Sequence, residues 1–450
     1  MHKRPISSDR RTLVAALLIA LVGTGAGGCS GSGACRELKD RYNAAMAAQR
    51  ASFTEAPNPN QPPLLGTLVR QAAMDRIVDA RIASMETLSD ARHIELFGTT
   101  LNLNTRLLET DVKVGRQCEA CLDVQAAVAV SASVKAGPVP MGVFKTRGLV
   151  RLEAPIAIDV RGGTSRLVTD LARAKVQHVQ VELPGLPARM ASAANDLLTE
   201  SAAALLKGVG SEVVLLSWKP IAIPGSPLKI TATEVKTLAP SGAVWIGWTP
   251  NVTLDGPGAA LPGLFPPTAD VAVTVAPQAL TLLTQASALA NLIPTRLNDD
   301  LQTDPRGALH VTVDQIRPDA GKLGTAFTLW RLEGDTCFEA HFAATTVASV
   351  VPPDPEARSR ADRKARVALD VQDIELVDSR GDDLLLSAAL WWRSTFTSES
   401  LAFQRDVLAA HDLAFGDASI DLHAVAIDTR EDGIDVFLAA SPGASTTTAH

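Results

Sequence analysis

Four times along the chain the same short pattern recurs: apolar-x-apolar-x-apolar-x-x-apolar, followed by a polar turn that carries a glycine. It is read at Leu228-Ile230-Ala232-Val235, Leu309-Val311-Val313-Ile316, Val367-Leu369-Val371-Ile374 and Ile420-Leu422-Ala424-Ile427. The glycines that follow are Gly242, Gly321, Gly381 and Gly433, and after each a new apolar-rich stretch begins. Alternation with period two buries one face of a strand. The extra residue before the last apolar position predicts a bulge or a bend, which keeps that position on the buried face. The chain is therefore expected to be built from long, strongly bent hairpins. Their spacing is irregular, which excludes a solenoid array.

Helical spacing appears between these strands. Leu65 to Leu88 reads as one helix, with Met74, Ile77, Val78, Ile82, Met85 and Leu88 on a face. Pro187 to Lys207 reads as a longer one, lined by Met190, Ala194, Leu197, Leu198, Ala202 and Leu205 and stopped by Gly208. Pro277 to Ile293 is a third, ended by Pro294. A fourth is expected near Glu399 to Leu413. Strands fill Ile94 to about Val160 and the stretch from Leu309, and a last pair spans Ile420 to Ala439. The divisions that follow are a leader over 1–29, a flexible tether over 30–63, and a first helix and curved-sheet domain over 64–249. A Pro/Gly-rich linker over 250–268, a second such domain over 269–440 and a disordered tail over 441–450 complete the chain.

The leader narrows the compartment. A basic start (Met-His-Lys-Arg, then Arg10 and Arg11) precedes the apolar run Leu13 to Val22 and a small-residue stretch ending at Cys29. This is the order of a secretory signal. The apolar run is too short to span a bilayer, which needs roughly 20 residues. Arg10-Arg11 hints at twin-arginine export, but Asp9 fits general secretion better. Ala26-Gly27-Gly28-Cys29 resembles a bacterial lipobox, with Ala26 where Leu is usual. That resemblance implies a lipoprotein with a thioether-linked diacylglyceryl group on Cys29 and a palmitate-type acyl chain on its amine. At about 0.8 kcal/mol per buried CH₂, several chains anchor firmly. Ser30, in place of Asp, implies an outer membrane address facing the periplasm. An ordinary cleaved signal with an incidental cysteine is the alternative.

Removing Cys29 leaves Cys35, Cys118, Cys121 and Cys337, an even number in an oxidising compartment. Cys118 and Cys121 form a C-x-x-C whose flanks, Val112 to Val114 and Val124 to Val130, read as strands. A redox motif of the thioredoxin type needs that pair at the head of a helix, so a local disulfide closing a hairpin loop is expected. No second ligand pair stands near it in sequence, so zinc and other metals are not expected.

No catalytic motif stands in the right context along the sequence. There is no H-E-x-x-H, P-loop or G-x-S-x-G. Ser226-Pro227-Leu228-Lys229 spells S-x-x-K but enters a predicted strand without its companion motifs. Gly23, Gly25 and Gly28 match G-x-G-x-x-G only inside the leader. The histidines (His93, His178, His310, His341, His411 and His423) are scattered, and His310 and His423 fall on the polar phase of strands, as solvated residues do. The basic run Arg358 to Arg366 is interleaved with Asp362 and preceded by Asp354 and Glu356, which reads as a solvated loop. A net charge of −7 and 4% aromatic residues weigh against nucleic acid and against stacked sugars. The chain is read as a non-enzyme without cofactor.

The order helix, curved hairpins, longer helix and closing hairpin, read in each half, resembles the tubular lipid-binding superfamily, which includes the bactericidal/permeability-increasing protein and its relatives. The local likeness is strongest in the closing hairpins, Pro227-Leu228-Lys229-Ile230 through Gly242 to Trp248 and Ile420 through Gly433 to Ala439. It extends over roughly residues 65–440. The resemblance implies an α+β fold of two similar halves, each a strongly curved antiparallel β-sheet wrapped around one long and one shorter helix, with a lipid in the groove between them. The small residues of the Pro187 to Lys207 stretch leave room for such a ligand, and they suit plain core packing equally. Trp245, Trp248, Trp391 and Trp392 are candidates for a tunnel mouth or for partly buried core. Two functions stay open: an envelope lipoprotein that binds or transfers a lipid or other hydrophobic molecule, and a structural or assembly lipoprotein with filled cores and a protein partner.

Overall fold

In the computed structural model the described residues are 31–53, 61–84, 89–181, 195, 196, 199, 212–332, 337–351, 366–381 and 412–442, less 97, 98, 116, 117, 137, 255, 294, 300, 301, 416 and 417. Three antiparallel sheets dominate. The central one has eight strands in the order β18 (Asp412–Phe415), β19 (Ala418–Arg430), β20 (Gly433–Pro442), β12 (Val271–Val275), β1 (Leu65–Arg70), β11 (Ala243–Pro250), β10 (Lys229–Leu238) and β9 (Ile221–Ala222). Strands from both halves of the sequence meet at its middle, where β1 and β12 run antiparallel in the register Leu65↔Val275, Thr67↔Val273 and Val69↔Val271. Each of these two strands leads straight into a helix, α2 (Gln71–Ser84) after β1 and α3 (Pro277–Leu289) after β12.

The alternation of β1 serves two faces. Leu65 and Val69 enter the main core with Met74, Ile77 and Val78 of α2, while Leu68 joins a smaller cluster with Trp245, Ala272 and Phe437. Both faces are covered, as a central strand requires. This corrects the reading of Leu65 to Leu88 as one helix. Its first six residues are a strand, paired on both edges with β11 and β12, and Gly66 lies so close to the Trp245 indole that an added Cβ would sit 2.7 Å from Nε1. The helix over Pro277–Leu289 forms as read, but it stops on Asn291 in a left-handed conformation (φ 56°) before Pro294 is reached.

The recurring pattern marks a bulge each time. Register shifts fall between Ala232 and Glu234 in β10, between Val313 and Gln315 in β14 (Leu309–Asp319), and between Ala424 and Ala426 in β19. In β17 (Arg366–Gly381) the pairing jumps from Val371 to Asp373. In every case the skipped residue follows the third apolar position. Gly242, Gly321, Gly381 and Gly433 all have positive φ.

A five-stranded sheet runs β13 (Arg296–Leu297), β14, β15 (Lys322–Arg331), β16 (Phe338–Val351) and β17. A seven-stranded sheet runs β2 (Ser89–Leu96), β3 (Thr99–Val114), β4 (Cys121–Ala136), β5 (Val139–Arg161), β6 (Thr164–Asp170) and β8 (Glu212–Trp218), with β7 (Lys175–Val181) on β5. Strand β5 is 23 residues long and changes partners, from β4 and β7 to β6 at Ile156.

The expected α+β architecture is thereby corrected. Among the described residues strands far outnumber helices. The two halves are not separate sheets each wrapped around a long helix; they share one central sheet, flanked by short helices of 14 and 13 residues. The long helix read over Pro187 to Lys207 lies outside the described residues, apart from 195, 196 and 199, which are helical. Residues 412 and 413, read as the end of a helix, belong to strand β18. The expected tether contains a third helix, α1 (Gly31–Ala51), which tertiary contacts hold. The Pro/Gly-rich stretch over 250–268 is irregular yet packed. Val252 is buried, Ala259 N–H donates to Pro63 O, and Phe265 lies edge-on to Phe437. No described helix is long and apolar enough to cross a membrane.

Candidate functional site

Strand β4 carries the longest apolar row in the described structure. Leu122, Val124, Ala126, Val128, Val130, Ala132 and Val134 share one phase, and Asp123, Gln125, Ser131 and Ser133 occur on the other. The register extends this row sideways. Val128 pairs with Leu107 and Gly148, Ala132 with Leu103 and Phe144, and Val134 with Leu101 and Gly142. A bulge in β3 between Leu107 and Glu109 keeps Val112 and Val114 on the same phase. One end of the row is spent on the core, where Val112, Val114 and Leu122 are buried in the main cluster. Farther out Val128 and Val150 are only half-buried. Along β4 itself the row beyond Leu122 consists of valine and alanine.

A polar cleft of about 540 Å³ lies at the inner end of the same sheet, on the opposite phase. Lys113, Asp123, Arg151, Glu153 and Gln177 contribute to its walls, together with Gln71 and the β10–β11 turn at Gly242. Its charges are largely spoken for. Arg151 donates twice to Asp123, from Nε (3.1 Å) and from Nη2 (2.6 Å). Lys113 pairs with Asp111 at 2.7 Å, and Gln177 Nε2 donates to Glu153 Oε2 at 3.3 Å. Cys118 and Cys121 are joined beside this cleft, in the connection from β3 to β4.

A second polar cluster holds α1 on the five-stranded sheet. Arg41 Nη2 donates to Glu339 Oε1 at 3.0 Å, and His341 Nε2 lies 3.0 Å from the same oxygen. His341 Nδ1 is 2.9 Å from Thr328 Oγ1, whose hydroxyl donates to Asp314 Oδ2 at 2.6 Å. Burial raises the pKa of Asp314, an effect the Thr328 hydrogen bond only partly offsets. Tyr42 packs edge-on against His310 and Trp330, and its own pKa is raised by burial. Cys35 is bonded to Cys337 at the head of β16. Thr328 and Glu339 are each 1% exposed, while Arg41 and His341 reach the surface, so this chain of groups ties the helix to the sheet interior.

The residues singled out from sequence fare unevenly. Cys29 lies outside the described residues, as do Met190, Ala194, Leu197, Leu198, Ala202 and Leu205. So do Trp391, Trp392 and the basic run up to residue 365. Trp245 and Trp248 are both buried, the latter donating to Thr67 Oγ1, so neither stands at an opening. Ser226 accepts the Leu228 N–H in a local turn, which accounts for the S-x-x-K match. His310 is covered by Tyr42, contrary to a solvated role. His341 reads in sequence only as one of the scattered histidines, and nothing there singles out Glu339 or Asp314, because three different strands supply their partners. Only the alternation of β16 hinted that Glu339 and His341 share a face.

No family model and no curated protein matches the chain. Among solved structures it is similar to a lipopolysaccharide binding protein, with a TM-score of 0.36 and 11% identity over 85% of this chain and 99% of that one. It is also similar to P47 of Clostridium botulinum E1, with a TM-score of 0.42 and 10% identity over 84% of this chain and 99% of that one. At such scores and identities neither likeness assigns the chain an activity.

Proposed function

We propose that this chain is an exported envelope lipoprotein, held in a membrane through acylated Cys29, that binds or transfers a lipid or other hydrophobic molecule without catalysing a reaction. The apolar row of β4 carries this reading. It continues past the core to half-buried Val128 and Val150, an apolar face suited to an acyl chain. The pairing of Cys35 with Cys337 and of Cys118 with Cys121 supports export, since two disulfides persist in an oxidising compartment and are rare in a reducing one. The anchor and the outer membrane address rest on the sequence around Cys29.

The test is native mass spectrometry of a soluble form beginning after Cys29, with lipid extraction of the same sample. A mass excess that denaturation releases and extraction identifies as acyl lipid is the expected result. A clean apo mass, with no uptake from envelope lipids, would overturn ligand binding and leave the structural or assembly role. For the anchor, Cys29→Ser is expected to yield unprocessed precursor or soluble protein. Unchanged membrane association would sink it.

A further inference from the structure

We propose that Cys118, Cys121 and Glu153 form a redox-gated site for a thiophilic divalent cation such as Zn²⁺. The site is closed while the cysteines are bonded and open when they are reduced. It does not depend on the lipid-binding reading.

The sulfurs of Cys118 and Cys121 and a carboxylate oxygen of Glu153 lie within 4.8 Å of one another. Sequence spacing hides the third member, because Glu153 sits on a different strand. The register of β4 with β5 delivers it: Cys121 pairs with Pro155 and Asp123 with Glu153, so Glu153 stands diagonally across from Cys121 on the same face. Paired strands hold Cys121 and Glu153, and Cys118 reaches them from the connection just before β4. The thiolates on one Zn²⁺ are about 3.8 Å apart, from Zn–S bonds of about 2.3 Å in a tetrahedron. A cysteine pair with Cα atoms 5.8 Å apart can open to that span with small side-chain rotations.

Charge and access fit the same cation. Two thiolates and a carboxylate supply three negative charges. The nearby cations do not cancel them, since Arg151 is engaged by Asp123 and Lys113 by Asp111. Glu153 is only 7% exposed, and a buried carboxylate gains strongly from a cation partner. Gly115 packs directly on Cys121, where a Cβ would sit 2.4 Å from Sγ, so Cys121 is buried and Cys118 is the partly exposed sulfur of the pair. The polar cleft that Glu153 and Gly115 line brings solvent to the carboxylate side of the site, from which a water would complete the four-coordinate set.

The chemistry balances with a dithiol reductant. It passes two electrons and two protons to the disulfide, leaving two protein thiols and its own disulfide. Zn²⁺ then displaces the two thiol protons to solvent as the sulfurs bind.

The experiment titrates Cd²⁺ into the purified chain before and after anaerobic reduction. It follows thiolate-to-cadmium absorption in the ultraviolet and metal stoichiometry by native mass spectrometry. The expected result is one cation per reduced chain, none per oxidised chain, and displacement by Zn²⁺. Reduction also opens Cys35–Cys337, so the Cys118→Ser/Cys121→Ser chain is reduced and titrated alongside, and it is expected to lack the absorption. Glu153→Gln is expected to keep the absorption and weaken binding about tenfold or more. The proposal fails if the reduced chain shows no absorption. It also fails if the double-serine chain keeps it, or if Glu153→Gln binds as tightly. Circular dichroism of the reduced wild-type chain separates loss of the site from loss of the fold.

Discussion

Cys35 of α1 and Cys337 at the head of β16 are bonded across 302 positions, with their Cα atoms 5.3 Å apart. The bond does for α1 what its own sequence does not. The helix begins Gly-Ser-Gly and sends few apolar residues inward, with Leu38 buried along it and Phe53 just past its end. A cross-link over so long a loop removes roughly 5–6 kcal/mol of chain entropy from the unfolded state, of which about 2–5 kcal/mol is usually measured. Cys35→Ala/Cys337→Ala is therefore expected to lower the unfolding free energy by about 2–5 kcal/mol in a denaturant titration. It should also speed amide exchange in α1. Cys118→Ala/Cys121→Ala opens a loop of a few residues and should move the midpoint less. Equal shifts would show that loop length is not the governing factor.

Asp314 is an acid whose folded pKa lies above its ordinary value, because burial penalises the carboxylate more than Thr328 stabilises it. The sign follows from proton linkage. Between the ordinary Asp value and the raised one, the folded chain holds more protons than the unfolded chain, so stability falls as pH rises through that interval. Above it the penalty is fully present. Asp314→Asn keeps a hydrogen-bonding side chain beside Thr328 and removes the charge. Its stability relative to wild type is expected to improve as pH rises from about 4 towards 7. Urea midpoints for both chains at the two ends of that range are the measurement. A difference independent of pH would mean that the carboxylate is not paying for burial.

The strands that these groups stand on were legible, because a bulge leaves a written trace. Thr233, Asp314, Gln372 and Val425 are the skipped residues, and each follows three alternating apolar positions. Only one placement keeps Val235, Ile316, Ile374 and Ile427 on the phase of their predecessors. Strand β1 was not legible. Its six residues run directly into the helical spacing of α2, and what makes it a strand is long-range pairing with β11 and β12. Helix α1 was missed for a related reason: Cys35, Arg41 and Tyr42 find their partners on strands some 300 residues away in sequence. The Glu153 side of the cysteine site needed the β4–β5 register, which alternation alone does not supply.

Asp435 fastens the irregular stretch over 250–268 to the central sheet. It is 0% exposed, accepts from Thr274 Oγ1 at 2.7 Å and from Gly263 N–H at 2.9 Å, and pairs with Arg430 at 3.0 Å. Arg430 in turn donates to Leu261 O. Asp435→Ala leaves two donors without their acceptor and leaves Arg430 with Asp432 as its remaining carboxylate, and breaking one partner of a buried pair costs about 3–5 kcal/mol. Discounting for the partly exposed Arg430, a loss of about 2–4 kcal/mol is expected, with faster exchange of the Gly263 amide. If Gly263 stays protected, the other contacts of the stretch, among them Ala259 N–H to Pro63 O and Phe265 on Phe437, hold it without Asp435.

The apolar row of β4 offers a test that uses the two phases of one strand. Val128 stands on the apolar phase, half-buried, with Gly148 and Leu107 as its register partners, whereas Ser131 stands on the opposite phase. A carboxylate at position 128 would be desolvated by a bound acyl chain, at a cost of several kcal/mol if it stayed charged. Val128→Glu is accordingly expected to cut lipid uptake by tenfold or more, and Ser131→Glu to leave it unchanged. Uptake is read as bound mass in native spectra at matched lipid concentration. Because Val128 is only half-buried, its replacement should cost little stability, and the thermal midpoints of the two variants check that. Equal uptake by both would place any ligand elsewhere on the chain. Equal loss in both, with normal midpoints, would mean that the ligand does not distinguish the two faces of the sheet.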